Sequence, residues 1–328
     1  MSQAPRADAR VLHARYVSAA QAGELESNAL LWVMDYHALN RGGTALPAIR
    51  VSVPQVNEDP LLEIWEASPP LERGEKSGIR FACNGEVLMG VVESEAVLLE
   101  TPTYNAMSAI LTLLSELDYP HLLRIWNFFP GINEDDMRLE RYKRFCVGRH
   151  RAFSEKGSEF TRDLPAASAV GAKAGNLVIV FLAGKARGLP QENPRQVAAY
   201  RYPREYSPKS PAFARAMLAT IGGETQLYIS GTASIVGHET AHVNDVEGQL
   251  VETLTNVDSL IAATAERHAL AMDRLNLTLL KVYLRRAQDY PLVRDKLENV
   301  FGSFPILYLQ ADICRGDLLL EIEGIARV

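Results

Sequence analysis

Two kinds of hydrophobic periodicity alternate along this chain, and together they predict a mixed α+β fold. Helical spacing of apolar residues appears at 104–117, and a second short helix at 139–145 is predicted to end at Gly148. Asn84-Gly85 predicts a tight hairpin, because a type I′ turn needs positive φ at both central residues. Short apolar runs bounded by turn residues predict strands at 30–53, 62–65, 79–83, 87–92 and 122–128.

The second half of the chain repeats this order of strands and helices. An amphipathic helix is predicted at 246–263 with Asp245 as its N-cap, and another at 291–300 that ends at Gly302. Further strands are predicted at 177–182, from Gln226 onward, and at 277–284, with a closing hairpin formed by 306–312 and 318–325. This pattern indicates mixed sheets with helices packed on one face.

Residues 156–175 are rich in Ser, Ala and Gly and show little periodicity, which is typical of a linker. We therefore predict an N-terminal domain at 1–155 and a C-terminal domain at 176–328. A length of 328 residues is comfortable for two domains.

Composition and charge narrow the function classes. The apolar fraction of 47% and the charged fraction of 23% are those of an ordinary globular protein. A net charge of −6 argues against a broad nucleic-acid surface. Three widely spaced cysteines, and no run near the ~18 apolar residues of a membrane span, predict a cytoplasmic protein that binds no membrane.

Residues 226–242 contain His-Glu-Thr-Ala-His, which matches the H-E-x-x-H zinc pattern. A zinc protease needs both histidines on one face of a helix, with a third ligand further on. A strand-like run ending in Gly237 precedes His238, and the next predicted helix is capped only at Asp245. We therefore predict a strand-exit loop without a metal, and a metal analysis of the purified protein would test the rival zinc protease.

Small residues precede this motif and favour a ligand-binding wall over a nucleophile. Ser230, Thr232 and Ser234 do not form a G-x-S-x-G turn. Gly231 and Ala233 would let the backbone approach a ligand closely, although a tightly packed strand explains them equally well.

Other candidate groups are cationic or acidic. Residues 201–209 concentrate arginines and tyrosines, and planar guanidinium groups suit carboxylates, although composition alone favours a solvated basic loop. Arg149 is open to the same two interpretations. Glu321 and Glu323 share one face of the last predicted strand, which is usually the solvated face. If that face lines a pocket, desolvation would raise a carboxyl pKa and create a general acid.

The segments taken together resemble a known superfamily. Residues from 225 onward are similar to the reactive-intermediate deaminase fold, a chorismate-mutase-like α+β unit. The similarity lies in ISG, DVEGQLVETLTNVDSLIAA, YPLVRDKLENVFG and LLLEIEGIARV. The key arginine of the deaminases falls near Ile306, so their imine hydrolysis is not carried over.

A fuller resemblance, over almost the whole chain, is to the chorismatases. Its motifs are LLRIWNFFPGIN (122–133), RYKRFCVGR (141–149), YPREYSPKSPAFARA (202–216) and ISGTASIVGHETAH (229–242). The resemblance implies two fused deaminase-like units in a monomer or homotrimer, with chorismate as substrate and no cofactor. Chorismate would be cleaved to pyruvate plus 3-hydroxybenzoate, 4-hydroxybenzoate or both.

The resemblance also implies roles for individual residues. Glu321 would protonate the enolpyruvyl methylene group. Ser230, Gly231 and Ala233 would form the wall of the pocket opposite it. The carboxylates of the substrate would be held by Arg149, Arg204, Arg215 and Tyr206.

Two further positions bear on the product. Cys314 matches the 3-hydroxybenzoate-forming subtype, whereas Ala233 matches the hydrolytic subtype that gives a dihydroxycyclohexadiene carboxylate. The combination favours a mixed-product enzyme that feeds ubiquinone or pigment synthesis. The alternatives are the hydrolytic chorismatase and a non-catalytic module that binds a small carboxylate.

Overall fold

The computed structural model describes residues 12–25, 28–36, 46–155, 157, 160–204 and 206–328. The helices are α1 (Glu100–Glu116), α2 (Arg141–Ser154), α3 (Val246–His268) and α4 (Tyr290–Phe301). Short 3-10 helices lie at Ala19–Glu24, Phe160–Asp163, Ala199–Arg201, Arg274–Asn276 and Ala287–Asp289. The strands are β1 (Leu12–Ser18), β2 (Leu30–Asp35), β3 (Ala48–Arg50), β4 (Leu61–Ala67), β5 (Glu72–Lys76), β6 (Ile79–Cys83), β7 (Val87–Ser94), β8 (His121–Pro130), β9 (Asp135–Asp136), β10 (Leu139–Glu140), β11 (Ala166–Ala172), β12 (Leu177–Gly184), β13 (Leu189–Gln191), β14 (Ala216–Ile221), β15 (Glu224–Thr232), β16 (Ile235–Val236), β17 (Glu239–Thr240), β18 (Leu277–Leu284), β19 (Ile306–Gln310), β20 (Asp312–Ile313) and β21 (Leu320–Arg327).

Most of these strands belong to three sheets. One sheet has seven strands in the order β20-β11-β8-β12-β7-β6-β5, and a second has six in the order β13-β14-β15-β21-β18-β19. A four-stranded sheet has the order β1-β4-β2-β3. Each of the three contains a parallel pair among antiparallel neighbours, namely β8–β11, β18–β19 and β2–β3. The predicted mixed sheets are confirmed.

Helices cover the outer faces of the two large sheets. Helices α1 and α2 pack on the seven-stranded sheet through residues such as Met107, Ile110 and Phe145. Helices α3 and α4 pack on the six-stranded sheet through residues such as Leu260 and Val293. The inner faces of the sheets meet across a core that includes Trp65, Trp126 and Tyr283. The layers therefore run helix, sheet, sheet, helix, as expected for an α+β fold.

The predicted N-cap of α3 and the predicted end of α4 are confirmed, whereas α3 continues to His268, five residues beyond its predicted end. The Asp245 side chain accepts a hydrogen bond from the Gly248 amide at 3.0 Å and caps α3. Helix α4 ends at Gly302, whose φ of 63° favours glycine. Val251, an apolar residue within the predicted amphipathic helix, is exposed instead of buried.

The prediction that a helix ends at Gly148 is wrong, because this glycine lies inside α2. A Cβ at this position would collide with the Glu100 carbonyl oxygen of α1. The glycine therefore permits close approach of two helices and does not terminate one.

The predicted closing hairpin is also wrong. Strand β18 lies between β19 and β21 and pairs with both, parallel to β19 and antiparallel to β21. After β19 the chain leaves the six-stranded sheet, and β20 pairs with β11 of the seven-stranded sheet. The chain then returns to the six-stranded sheet as β21. The connection that looked like a turn in the sequence therefore links the two large sheets.

Residues 166–172, in the predicted linker, form strand β11, which pairs with β8 and β20. The small side chains of β11 have a packing reason, because this strand lies close to β15: the Ala167 amide donates to the Ser230 hydroxyl at 2.9 Å. Strand β12 also belongs to the seven-stranded sheet, which therefore contains strands from both sides of the predicted boundary. The division into two deaminase-like units stays a prediction.

Candidate active site

A cavity of about 250 Å³ opens where the two large sheets approach each other. Its walls come from β11, β15 and β21, from helix α2, and from the loops 202–215 and 314–318. Polar side chains on α3 hold two of these walls in place. Asn256 donates to the carbonyls of Ala233 and Ile235, and Gln249 donates to the Asp317 carbonyl and accepts from the Leu319 amide. Hydrogen bonds from α3 therefore hold the backbone of two wall segments in place.

Glu321 extends from β21 into this cavity and is only 4% exposed. Its Oε1 atom has no hydrogen-bond partner among the described residues. Burial, together with the negative charge of Glu323, raises the pKa of Glu321 to about 8, against the opposing effect of Arg124 and Arg215. At neutral pH the carboxyl group retains its proton, so that it can act as a general acid.

Glu323 lies two residues further along the same strand and is in the opposite protonation state. Burial disfavours its ionisation, but the cations of Lys281 and Arg124 lower its pKa to about 2. It accepts hydrogen bonds from Arg124 Nη2 at 2.7 Å, Trp126 Nε1 at 2.9 Å, Lys281 Nζ at 2.9 Å and the Ser168 hydroxyl. Glu323 is thus a buried carboxylate within a complete set of donors.

Lys281 connects this charge cluster to the third sheet. Its ammonium group lies 2.8 Å from Glu63 Oε2 on β4, in addition to its contact with Glu323 on the neighbouring strand. Arg124 comes from β8 of the seven-stranded sheet. Carboxylates and cations from three sheets therefore meet beneath the cavity, and the negative charge next to Glu321 is fixed there.

Gly231 lies on β15, the strand that pairs with β21 in the six-stranded sheet, so it is in contact with Glu321 and is not on the opposite wall that the resemblance implied. A Cβ at this position would overlap the Glu321 carboxyl oxygen. The Gly231 amide donates to Ser168 Oγ at 2.9 Å, and that hydroxyl in turn donates to Glu323. The absence of a side chain at 231 is therefore what allows Glu321 to occupy its position.

Three arginines line the cavity, and the partners of their hydrogen bonds are neutral. Arg149 donates to the Ala212 carbonyl, and Arg215 donates to the Val197 carbonyl at 3.0 Å and the Tyr202 hydroxyl at 2.6 Å. Arg315 donates to the His238 carbonyl at 2.8 Å. Arg215 Nε and Arg315 Nη2 are buried without a partner among the described residues. Such an arrangement is suited to binding an anion with more than one carboxylate.

The structure places most of the predicted site residues around this cavity. Glu321, Cys314, Arg149, Tyr206, Arg215, Gly231 and Ala233 all line it. Ser230 does not, because its hydroxyl points away and donates to the Ala214 carbonyl at 2.6 Å. Arg204 is exposed and is absent from the lining. These two residues therefore do not contact the cavity.

Cys314 and Ala233 lie together at one side of the cavity, in a small apolar cluster with Ile313 and Leu318. Burial, and then the neighbouring Glu321, raises the pKa of the Cys314 thiol to about 12. The group is therefore a neutral thiol at physiological pH and not a thiolate nucleophile.

The His-Glu-Thr-Ala-His motif forms no helix, as predicted. His238 lies at the tip of the small hairpin between β16 and β17, and His242 follows it with a φ of 56°. Nδ1 of His238 lies 3.1 Å from the Tyr206 hydroxyl, and His242 Nε2 lies 3.4 Å from Glu252. The two histidines have different partners and do not share the helical face that a zinc protease needs.

Sequence reasoning missed Ser168, Arg315, Arg124 and Lys281. Two of these left a signal, because Arg124 and Lys281 each supply the single charge of a predicted strand that is otherwise uncharged. A charge on a strand predicted to be buried requires a partner of opposite sign. Arg315 gave no such signal, since its neighbours looked like an ordinary turn.

The fold and the cavity define a class: an α+β protein with a buried acid beside an arginine-lined pocket for a carboxylate ligand. Comparison with known proteins gives the family. The family model "Chorismatase FkbO/Hyg5-like, N-terminal" matches residues 63–183. A curated relative named 3-hydroxybenzoate synthase, from Streptomyces hygroscopicus, is 37% identical over 306 residues, covering 89% of this chain and 88% of the relative.

Two further comparisons agree with this result. A relative named chorismatase, from Streptomyces rapamycinicus, is 34% identical over 317 residues, covering 93% of this chain and 95% of the relative. A crystal structure of a chorismatase superposes with a TM-score of 0.86 at 32% identity, covering 97% of this chain and 98% of the other. The chain belongs to the chorismatase family. None of its described helices has the length and apolar character needed to cross a bilayer.

Proposed function

We propose that this protein is an enzyme that cleaves chorismate into pyruvate and 3-hydroxybenzoate. One observation carries the proposal: a buried carboxyl group, Glu321, lies in a cavity whose arginine side chains donate to neutral acceptors among the described residues. Chorismate is a dicarboxylate with an acid-labile enolpyruvyl ether, so it requires both an anion clamp and a proton donor. A relative with 37% identity is named for the formation of 3-hydroxybenzoate.

In the proposed mechanism Glu321 is the general acid. It delivers its proton to the methylene carbon of the enolpyruvyl group, and positive charge develops at the neighbouring ether carbon. The ionised Glu323 and the newly formed Glu321 carboxylate stabilise that charge in a site with little water. The ether bond between the ring and the oxygen then breaks, and the oxygen leaves as the keto group of pyruvate.

The proton balance of this reaction returns Glu321 to its starting state. Pyruvate and 3-hydroxybenzoate together contain the same atoms as chorismate, so no water is consumed. The oxygen left on the ring is the hydroxyl on the carbon next to the former ether carbon, and loss of a proton alone would give 4-hydroxybenzoate. For 3-hydroxybenzoate this hydroxyl oxygen must bond to the ether carbon as the ether bond breaks, and its bond to its original carbon must then break. In all, the ring loses one proton as it becomes aromatic, and the Glu321 carboxylate accepts it. Recovery of this proton is favoured because two buried carboxylates cannot both remain ionised side by side without a large cost.

The substrate carboxylates would be held by Arg149, Arg215 and Arg315. Arg204, which the family resemblance implied, is left out of this clamp because it is exposed. Tyr206 lines the cavity and remains a candidate hydrogen-bond donor to the substrate. Ser230 acts from behind the wall by linking β11 and the segment before β14.

Cys314 supports 3-hydroxybenzoate as the main product, and Ala233 leaves room for a fraction of 4-hydroxybenzoate or of the hydrolytic product. We keep the expectation that the product enters ubiquinone or pigment synthesis in the cytoplasm. We also keep the expectation of a monomer or homotrimer, which size-exclusion chromatography with light scattering would distinguish.

The direct test is to supply chorismate to the purified protein and to measure pyruvate with a lactate-dehydrogenase-coupled assay. Chromatography of the aromatic products identifies the subtype. Stoichiometric pyruvate and 3-hydroxybenzoate are expected. Tight chorismate binding without pyruvate would instead support a non-catalytic carboxylate-binding module.

The anion clamp has a matched pair of variants. Arg215→Ala removes a buried guanidinium group and is expected to raise KM for chorismate by about ten-fold or more, because each charge-assisted hydrogen bond contributes about 1.5–3 kcal/mol. Arg204→Ala removes an exposed arginine and is expected to leave KM within about two-fold of wild type. Equal effects of the two variants would contradict the assignment.

A further inference from the structure

We infer that His238 is a positioning residue for the substrate: it holds the Tyr206–Arg315 pair at the cavity wall without touching the substrate itself. This inference rests on the proposed function, since Arg315 is taken as part of the chorismate clamp. His238 belongs to the motif that suggested zinc in the sequence, and it does not line the cavity.

Two contacts connect His238 to the cavity wall. Its Nδ1 atom lies 3.1 Å from the Tyr206 hydroxyl, and its ring meets the Tyr206 ring edge-on with centroids 5.5 Å apart. Its backbone carbonyl accepts a hydrogen bond from Arg315 Nη1 at 2.8 Å. Both partners of His238 line the cavity. One residue therefore contacts two wall residues that come from different loops.

Tyr206 and Arg315 also contact each other. The Arg315 guanidinium carbon lies 4.2 Å from the centre of the Tyr206 ring and 5.1 Å from that of Tyr202. These are cation–π distances. Arg315 Nη2 is buried and has no partner among the described residues. By orienting the Tyr206 ring, His238 therefore positions the Arg315 guanidinium group that packs on this ring and whose Nη2 is available to a ligand.

The hairpin that carries His238 is itself tightly held. Gly237, with a φ of 61°, forms its tip with His238. The Gly237 amide donates to the Arg195 carbonyl at 2.9 Å, and its carbonyl accepts from the Val197 amide at 2.8 Å. Thr240 contacts the Asp317 carboxylate at 3.1 Å. The hairpin is therefore a rigid support next to the loop of Arg315, which is what a positioning residue requires.

His238→Ala tests the inference, because it removes the ring but keeps the backbone carbonyl. KM for chorismate is expected to rise about three- to ten-fold with kcat within two-fold, which corresponds to the loss of one net hydrogen bond. His238→Asn, whose amide can reach the same hydroxyl, is expected to restore KM to within two-fold. A KM unchanged in His238→Ala, or an asparagine variant as impaired as alanine, would overturn the inference.

The coupling to Tyr206 gives a second test. Tyr206→Phe removes the hydroxyl and is expected to raise KM to a similar extent. The double variant with His238→Ala is expected to be no worse than the more impaired single variant. Effects on KM that multiply would show that His238 does not act through Tyr206. If His238→Ala fails to fold, a Tyr206→Phe protein with wild-type KM overturns the inference on its own.

A matched control separates this inference from the proposed function. His242→Ala changes the other histidine of the motif, which faces Glu252 instead of the cavity, and is expected to leave KM unchanged. Pyruvate release by the wild type tests the proposed function by itself. The dissociation constant for chorismate, measured by calorimetry with each variant, tests the role of His238 even without turnover.

Discussion

Glu321 and Glu323 lie two residues apart on one face of β21, yet their surroundings give them opposite protonation states. Glu321 meets a cavity and the backbone of Gly231, and no residue in the described part of the chain donates a hydrogen bond to its Oε1. Glu323 meets two cations, an indole and a hydroxyl. The pKa of the first is raised to about 8, and that of the second is lowered to about 2. The difference assigns the roles: one carboxyl group supplies a proton, and the other supplies a fixed charge.

The largest effect is expected from Glu321→Gln. The amide keeps the size of the side chain but carries no transferable proton, so kcat for pyruvate release is expected to fall by about 10³-fold, within the range of general acid catalysis. Chorismate binding should remain within a few-fold of wild type, as calorimetry would show. Pyruvate release at the wild-type rate would remove Glu321 from the mechanism.

A smaller loss is expected from Gly231→Ala. The added methyl group overlaps the Glu321 carboxyl oxygen and displaces it, and a misplacement of this kind costs about 10²-fold in rate. The matched control is Gly85→Ala in the β6–β7 turn, where a Cβ meets open space. If both variants keep wild-type kcat, the close contact with Glu321 has no catalytic importance.

Glu323→Gln should affect stability more than Glu321→Gln does. Removal of Glu323 from the buried ion cluster leaves Arg124 without its carboxylate partner and leaves Lys281 with Glu63 alone, and breaking a buried pair in this way costs about 3–5 kcal/mol at pH 7. The lowered pKa of Glu323 contributes stability above about pH 4.5, and this contribution is lost as pH falls through about 2. Denaturant unfolding of both variants at pH 7 measures the contrast. Equal stability of the two would mean that the cluster does not distinguish the carboxylates.

The raised pKa of Glu321 changes folding stability with pH in the opposite direction to the lowered pKa of Glu323. Its neutral form favours folding below its ordinary pKa near 4.5, and that advantage is lost as pH rises through about 8. Glu321→Gln is therefore expected to unfold at a Tm equal to or above that of wild type at pH 8, measured by calorimetry. A clearly lower Tm would indicate that the wild-type side chain has stabilising partners in the fold.

The sequence predicted the individual helices and strands better than it predicted which strands pair with one another. The start of α3 and the extents of α4 and β18 followed from periodicity and capping, because these signals are local. The order of β19, β18 and β21 could not be predicted, since it depends on a chain crossing between the two large sheets. Strand β11 looked like a linker because its small residues are adapted to contact with β15, a strand distant in sequence.

For the candidate site, too, the sequence predicted some residues correctly and failed where tertiary packing decides. Motifs of the family led to Glu321, Gly231 and Arg215, which do line the cavity. Without the family resemblance the sequence could not separate Glu321 from Glu323, because both lie on one strand face and differ only in the side chains that the other sheets bring to them. It also placed Arg204 in the site and omitted Arg315, because the exposure of a loop arginine depends on tertiary packing.

The pH dependence of kcat/KM for pyruvate release, in the wild type and in Glu323→Gln, tests the central claim most directly. The wild-type value is expected to fall as pH rises through about 8, where Glu321 loses its proton. Without the neighbouring charge the pKa of Glu321 should drop, so the same decline in Glu323→Gln should begin at least about one pH unit lower. A wild-type profile without this decline, or a decline at the same pH in both proteins, would contradict the account.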